Sequence, residues 1–399
     1  MRVLSNENEF NFSFFMRILI ISPRYLPHRG GLESVVYHLA HEFRQRGHTV
    51  QIITSRYPRT LPPTEEIDGV HVTRLHFLLP DLKYFRNFRF ELWLAGIWYF
   101  FDTERALRRF INEFQPDVVN NHYLNEAAEF TGRSLAGRSP AIPWVISLHG
   151  GDVEGEPLLG RTNKVRFSKA SRQASELTAC SNYLAIQAQT LEPALQGRID
   201  VIHNGVDAGR FADSESYPSD YPYILAVGQL VSHKGFDLLI EAFAQVAGKY
   251  PKVQLWIAGG GSQRTALEML IRQKGLVQRV QLLGKVDEAT VASLMAGCLF
   301  VAMPSRREPF GIVALEGMAA GKPVLATPVG GLPEFLLVPP NRLVASEVAA
   351  WGIALDEWLA LAMSDQLKAD GNTQEAHKRD WSKVAGQYLQ VYERALLPS

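Results

Sequence analysis

Cysteine is almost missing from this chain of 399 residues, which has two, Cys180 and Cys298. Both stand in apolar, strand-like runs, Leu177–Ser181 and Cys298–Met303, where a thiol reads as a small core side chain. That pattern argues against a disulfide framework or a cysteine-ligated metal and suits a reducing, cytoplasmic setting. Net charge is missing too, 41 Lys+Arg standing against 41 Asp+Glu. A bulk nucleic-acid binder needs surplus cations, so none is expected, although a local basic patch remains open. Long hydrophobic runs are lacking: the longest, Leu92–Phe101, is about half of what spans a bilayer. Nor does a secretion signal open the chain, since acidic and amide residues interrupt MRVLSNENEFNFSFF. Residues 1–15 are expected to be a disordered leader, or to lie upstream of a working start at Met16. No internal repeat is visible.

The length exceeds one ordinary core, and with 46% apolar residues the chain reads as two α/β domains. Arg17–Ile21 is a buried strand. After the loop Pro23–Gly31, the residues Leu32, Val35, Val36, Leu39, Ala40 and Phe43 recur at helical spacing, and His48–Thr54 is the next strand. Gly69–Leu75, Asp117–Asn121, Pro143–Leu148, Leu177–Ser181 and Arg198–His203 follow as strands. His122 and His149 end two of them; His122 reads as structural, and Asp152 as a turn cap or an assistant at a site. The polar stretch Ala212–Pro222 is a linker. Beyond it come strands Tyr223–Gly228, Val253–Ala258, Val280–Gly284, Cys298–Met303 and Val324–Thr327. Sheets wound this way bind ligands at the carboxyl ends of their strands. Leu78–Phe114 is different: it mixes Lys83, Arg86 and Arg89 with aromatic residues that include Trp93, Trp98 and Phe101. A basic, aromatic helix suits an anionic membrane surface, and a helix packed on the sheet with a positive rim has the same composition.

The most informative stretch is Pro304–Glu334, PSRREPFGIVALEGMAAGKPVLATPVGGLPE. It follows a strand with a glycine turn, a helix over Ile312–Ala320, a stop at Gly321 and another strand. Free N–H groups around Gly311 and Ile312 then stand at a helix N-terminus, where a phosphate is readily held. Glu308 lies before the helix and Glu316 inside it. The two would bracket a ligand with hydroxyls at both ends and phosphates between, as in a nucleotide sugar. The run E-P-F-G-I-V-A-L-E closely resembles the E-x7-E signature of retaining GT-B glycosyltransferases of family four (glycosyl transferases group 1). P-H-R-G-G-L-E resembles that family's amino-terminal glycine motif. V-I-H-N-G-V-D, Val201–Asp207, resembles its domain junction, and Q-L-V-S-H-K-G its pyrophosphate turn.

The resemblance implies an α/β GT-B fold with two Rossmann-like domains facing a central cleft. Residues 16–207 would form the acceptor-side domain and 208–379 the nucleotide-sugar domain, with 380–399 a terminal helix crossing back. The implied reaction moves a hexose-type sugar from a nucleotide diphosphate sugar to a hydroxyl of a glycan, a lipid-linked glycan or a small molecule, with the anomeric configuration retained. His149, Glu308 and Lys234 are the catalytic candidates. Gly31, Gln229, Lys234, Glu308, Phe310, Gly311, Ile312 and Glu316 are the donor-binding ones. Lys234, Gln229 and the N–H groups of Gly31, Gly311 and Ile312 would hold the diphosphate, Glu308 the sugar hydroxyls, Glu316 the ribose. His149 would sit at the reacting face.

No Asp-x-Asp occurs, so no metal and no cofactor beyond the donor are expected. No nucleic acid is expected as a partner, and 83–101 is the candidate peripheral membrane contact. Two departures stand out. Gln229 occupies the place of the family's usual arginine, leaving Lys234, the helix amides, Arg306 or Arg307 to compensate, or weakening the enzyme into a nucleotide-sugar-binding protein. A G-x-T-G-x-L-V segment after Gly331 is absent, so the distal edge of the second domain is expected to be trimmed. A phosphorylase or an epimerase of the same fold are the remaining rivals.

Overall fold

The run R-I-L-I-I-S heads a sheet because every residue after Arg17 is buried on both faces, the pattern of a central parallel strand. The computed structural model describes residues 15–28, 30–79, 90–154 and 161–397. The first sheet holds β1 (Arg17–Ser22), β2 (Thr49–Ser55), β3 (Thr64–Ile67), β4 (Val70–Leu75), β5 (Val118–His122), β6 (Trp144–Leu148), β7 (Glu176–Ala179) and β8 (Ile199–Val201). Their spatial order is β3-β4-β2-β1-β5-β6-β7-β8. All neighbours are parallel except β3 and β4. The second sheet holds β9 (Tyr223–Val227), β10 (Gln254–Ala258), β11 (Val280–Gly284), β12 (Val301–Met303), β13 (Val324–Ala326) and β14 (Arg342–Leu343). It is parallel, in the order β11-β10-β9-β12-β13-β14. These are the two Rossmann-like units expected from the sequence.

Strand order reverses direction between β1 and β5 in one sheet and between β9 and β12 in the other. Crevices open at such switch points, beyond the carboxyl ends of the strands. The loop after β1 leads to Gly31, β5 ends on His122, the loop after β9 leads to Lys234, and the loop after β12 carries Glu308. Topology alone therefore gathers Gly31 with His122 in the first sheet and Lys234 with Glu308 in the second.

The termini of several elements differ from the sequence reading. β3, T-E-E-I, has no apolar alternation to reveal it; it is an exposed edge, held where Glu65 pairs with the buried Arg74. Cys298 ends the helix Glu288–Gly297, so β12 begins later than Cys298–Met303 suggested. The trimmed distal edge still carries a strand, with Arg342–Leu343 pairing on β13. Cys180 and Cys298 are buried and unpaired. In Leu78–Phe114, residues 80–89, with Lys83, Arg86 and Arg89, lie outside the described residues, as does the Trp93 side chain. The helix Phe90–Phe114 buries Leu107, Ile111 and Phe114 against the sheet but exposes Leu94, Trp98 and Phe101. No helix among the described residues is long and apolar enough to cross a membrane. The last helix, Trp381–Leu396, packs on the helix Gly31–Gln45 and on β5 and β6.

Candidate functional site

Lys234 closes a single helical turn, Ser232–Lys234, before the helix Phe236–Val246. Glu308 lies on the loop between β12 and the helix Ile312–Ala319. That loop is shaped by a glycine: Gly330 has a φ of 58°, and a Cβ there would stand 1.6 Å from the Glu308 carbonyl oxygen. Only glycine permits this backbone contact. The Gly331 N–H donates to that carbonyl at 3.1 Å, and the Glu308 side chain meets Lys234, whose Nζ is 2.5 Å from Oε2. The pair is largely out of solvent, with side-chain exposures of 20% and 9%, so either charge would be costly to leave alone. Gly311 caps the helix Ile312–Ala319 without any side-chain acceptor, leaving its first amides free.

The other expected donor residues divide. Burial pushes the Glu316 carboxyl up from 4.5 to about 8, and the charge of Glu288 adds to the effect. Gln229 is exposed, and its side-chain amide has no hydrogen-bond partner among the described residues. The Phe310 ring is buried between His203 and Phe335, so only its backbone is available to a ligand. Arg306 is committed elsewhere: it makes a forked pair with Asp237 at 2.8 and 2.7 Å and bonds the Ser232 carbonyl. Arg307 is exposed and lies within charge range of His233 and Tyr183.

The first sheet contributes His149, just after β6. Its backbone N–H, with those of Gly150 and Leu124, donates to Asp152. Burial raises the Asp152 carboxyl to about 6, against the pull of these donors. Asp152 is thus the cap of its own turn. His149 Nε2 meets Nδ1 of His122 at 3.0 Å, an association the sequence reading did not anticipate. Burial lowers the His149 imidazole to about 4.

The two halves touch. Gly150 has a φ of 127°, and a Cβ there would lie 2.2 Å from the Pro309 ring. Ser181 donates to the Pro309 carbonyl at 2.6 Å. A Cβ on Gly31 would lie 3.5 Å from the Ile312 side chain. Glu334, unassigned from sequence, reaches across. It accepts from the Asn182 and Tyr183 amides at the start of the helix Asn182–Leu191, from the Asn182 side chain, and from His203 Nε2, all at 2.9 Å. Burial alone would raise this carboxyl; the bonds from His203, Tyr183 and Asn182 outweigh it and hold it at about 2. Among the described residues no cluster of three His, Cys, Asp or Glu could hold a metal.

Comparison with known proteins agrees with this architecture. Residues 29–210 match the model of Glycosyltransferase Family 4, and residues 209–365 match that of Glycosyl transferases group 1. An uncharacterized glycosyltransferase of Methanocaldococcus jannaschii is 28% identical, over 96% of this chain and 99% of its own length. Sucrose-phosphate synthase of Thermosynechococcus elongatus has a similar structure, with a TM-score of 0.76 at 20% identity over 95% of this chain and 98% of that one. The Anabaena protein HepE, solved with UDP and glucose, has a TM-score of 0.73 at 21% identity, over 95% of this chain and all (100%) of its own.

Proposed function

The chain belongs to the GT-B glycosyltransferases of family four and group 1, and from that premise we propose that it moves a hexose-type sugar from a nucleoside diphosphate sugar to an acceptor hydroxyl with retained anomeric configuration. The observation that carries this reading is the meeting of Lys234 and Glu308 beside the free amides of Gly311 and Ile312, opposite Gly31 and His149. When the donor binds, Lys234 turns from Glu308 to the diphosphate, which gains charge as the glycosidic bond breaks. Glu308 is released to accept from the sugar hydroxyls, and Glu316 accepts from the ribose. Arg306 being held by Asp237, Arg307 is the cation left to supplement Lys234. The diphosphate charge is met by these groups and by backbone N–H groups, without a metal or cofactor. Asp152 is committed to three amides, which favours departure and attack on one face over a carboxylate nucleophile beside His149.

The test is nucleotide release by the purified protein from UDP-, GDP- and ADP-sugars, with Glu308→Ala alongside. Release from one donor, lost in the variant, is expected. No release from any donor, with or without glycan acceptors, refutes transfer. A donor-binding protein of weakened activity is the second reading. It is favoured by the neutral, unpartnered Gln229, and Gln229→Arg would then create turnover.

The acceptor is proposed to be lipid-linked, with 83–101 at a membrane surface. Leu94, Trp98 and Phe101 are 60%, 65% and 64% exposed at helical spacing, which places three large apolar groups on one solvent-facing stripe. Co-sedimentation with anionic vesicles, lost in a Trp98→Glu and Phe101→Glu double variant, tests this.

A further inference from the structure

The protonation pattern of His149 decides what that side chain does, and the residues beneath it determine the pattern. His149 Nε2 lies 3.0 Å from His122 Nδ1. Between two neutral imidazoles, one nitrogen of such a contact donates and the other accepts. The second nitrogen of His122, Nε2, lies 3.1 Å from Nδ2 of Asn120. An amide nitrogen only donates, so His122 Nε2 accepts and the ring proton of His122 is on Nδ1. That proton is directed at His149 Nε2, which accepts it. The proton of His149 itself is therefore on Nδ1.

The Asn120 amide has other contacts that fit this sense, each through a hydroxyl that can donate or accept. Its Oδ1 accepts from Ser147 Oγ at 3.1 Å, and Ser147 accepts from Thr178 at 2.9 Å. Its Nδ2 also donates to the Tyr392 hydroxyl at 2.7 Å, on the terminal helix. Asn120, His122, Ser147 and Thr178 are all fully buried, so no water competes for these bonds. Burial also keeps both imidazoles neutral, and the neighbouring His149 lowers His122 further. Among the described residues, His149 Nδ1 has no partner of its own.

We propose that His122 is a positioning residue: with Asn120 behind it, it fixes His149 as the neutral Nδ1–H tautomer, which offers the cleft a hydrogen-bond donor and no base. The oxygen that receives this donor belongs to the sugar or the diphosphate, and that part alone rests on the function proposed above. The tautomer does not.

The first experiment is therefore independent of turnover. The ring nitrogens of ligand-free, 15N-histidine-labelled protein are recorded by NMR, with His149→Gln to assign the signals. A protonated Nδ1 and a bare Nε2 on His149 are expected; the reverse assignment overturns the proposal. The second experiment compares variants. His122→Asn keeps an N–H near the place of Nδ1 and is expected to retain donor turnover within about threefold. His122→Leu removes it and is expected to lose about ten- to a hundredfold, as for outer residues that orient a functional histidine. Equal losses in the two variants would overturn the positioning role. Should the protein turn over no donor, the function fails while the NMR result still decides the tautomer.

Discussion

Removing the Glu334 carboxylate should let the two halves of the molecule part. The carboxylate receives four bonds from the first domain, two of them from the opening amides of the helix Asn182–Leu191. Its pKa falls from 4.5 to about 2. At 1.36 kcal/mol per unit, that shift corresponds to about 3 kcal/mol between the charged and neutral forms. The side chain is 15% exposed, so screening brings the usable figure to about 2 kcal/mol, a factor of about thirty in the ratio of closed to open molecules. Ser181 and Pro309 remain as a second, weaker contact.

A compact chain of this length has a radius of gyration of about 21 Å. Small-angle scattering of Glu334→Ala at pH 7 should give a larger value than the wild type, and donor affinity should fall with the closed fraction, by at most about thirtyfold. The pH dependence carries the same sign. A carboxyl depressed in the folded state stabilises fully above 4.5, and the contribution disappears as pH falls toward 2. Wild-type protein should therefore begin to open below pH 4.5, and the variant should show no such step. Superimposable scattering curves with unchanged donor affinity would refute the reasoning.

Glu316 titrates in the opposite sense. Its folded pKa, about 8, is above the ordinary 4.5, so its contribution to stability is complete below 4.5 and is lost as pH rises to about 8. Glu316→Gln should flatten the fall in melting temperature over that range. Ribose hydroxyls that donate to Glu316 favour its charged form, so nucleotide binding at pH 7 should release a proton, read as a calorimetric heat that depends on the buffer. Gly330→Ala places a Cβ against the Glu308 carbonyl at a φ of 58°; it should cost about 2 kcal/mol or more and abolish donor turnover while the circular dichroism spectrum is kept. Chelation with EDTA should leave nucleotide release unchanged.

What could be read from sequence was local. The strand, turn and helix around Pro304–Glu334 carry their own signals: an apolar run, a glycine before a helix, a glycine after it. The strand ends marked the crevices for the same reason. What could not be read depends on contacts between distant segments. Arg306 was a candidate for the missing cation, and nothing nearby in sequence reveals that Asp237 holds it. Phe310 stands in the motif, yet its ring belongs to the core with His203 and Phe335. Glu334 closes the same motif, but its partners lie in the other domain. The pairing of His122 with His149 follows from strand order: both end strands that are neighbours in the parallel order, and His122 is in register with Ser147. The β3 edge had no signal, because an exposed strand needs no apolar alternation.

The terminal helix also bears on how the protein is made. Trp381, Tyr388 and Tyr392 are buried against the first sheet, and Tyr392 holds Asn120. The first domain thus receives part of its core from residues synthesised after the second domain. While the ribosome works through the second domain, the apolar face of Gly31–Gln45 and the polar chain under His149 stand uncovered. The nascent first domain is then a holding structure that matures once Trp381–Leu396 has emerged, and a chain stopped short of Trp381 would present that face to chaperones and proteases.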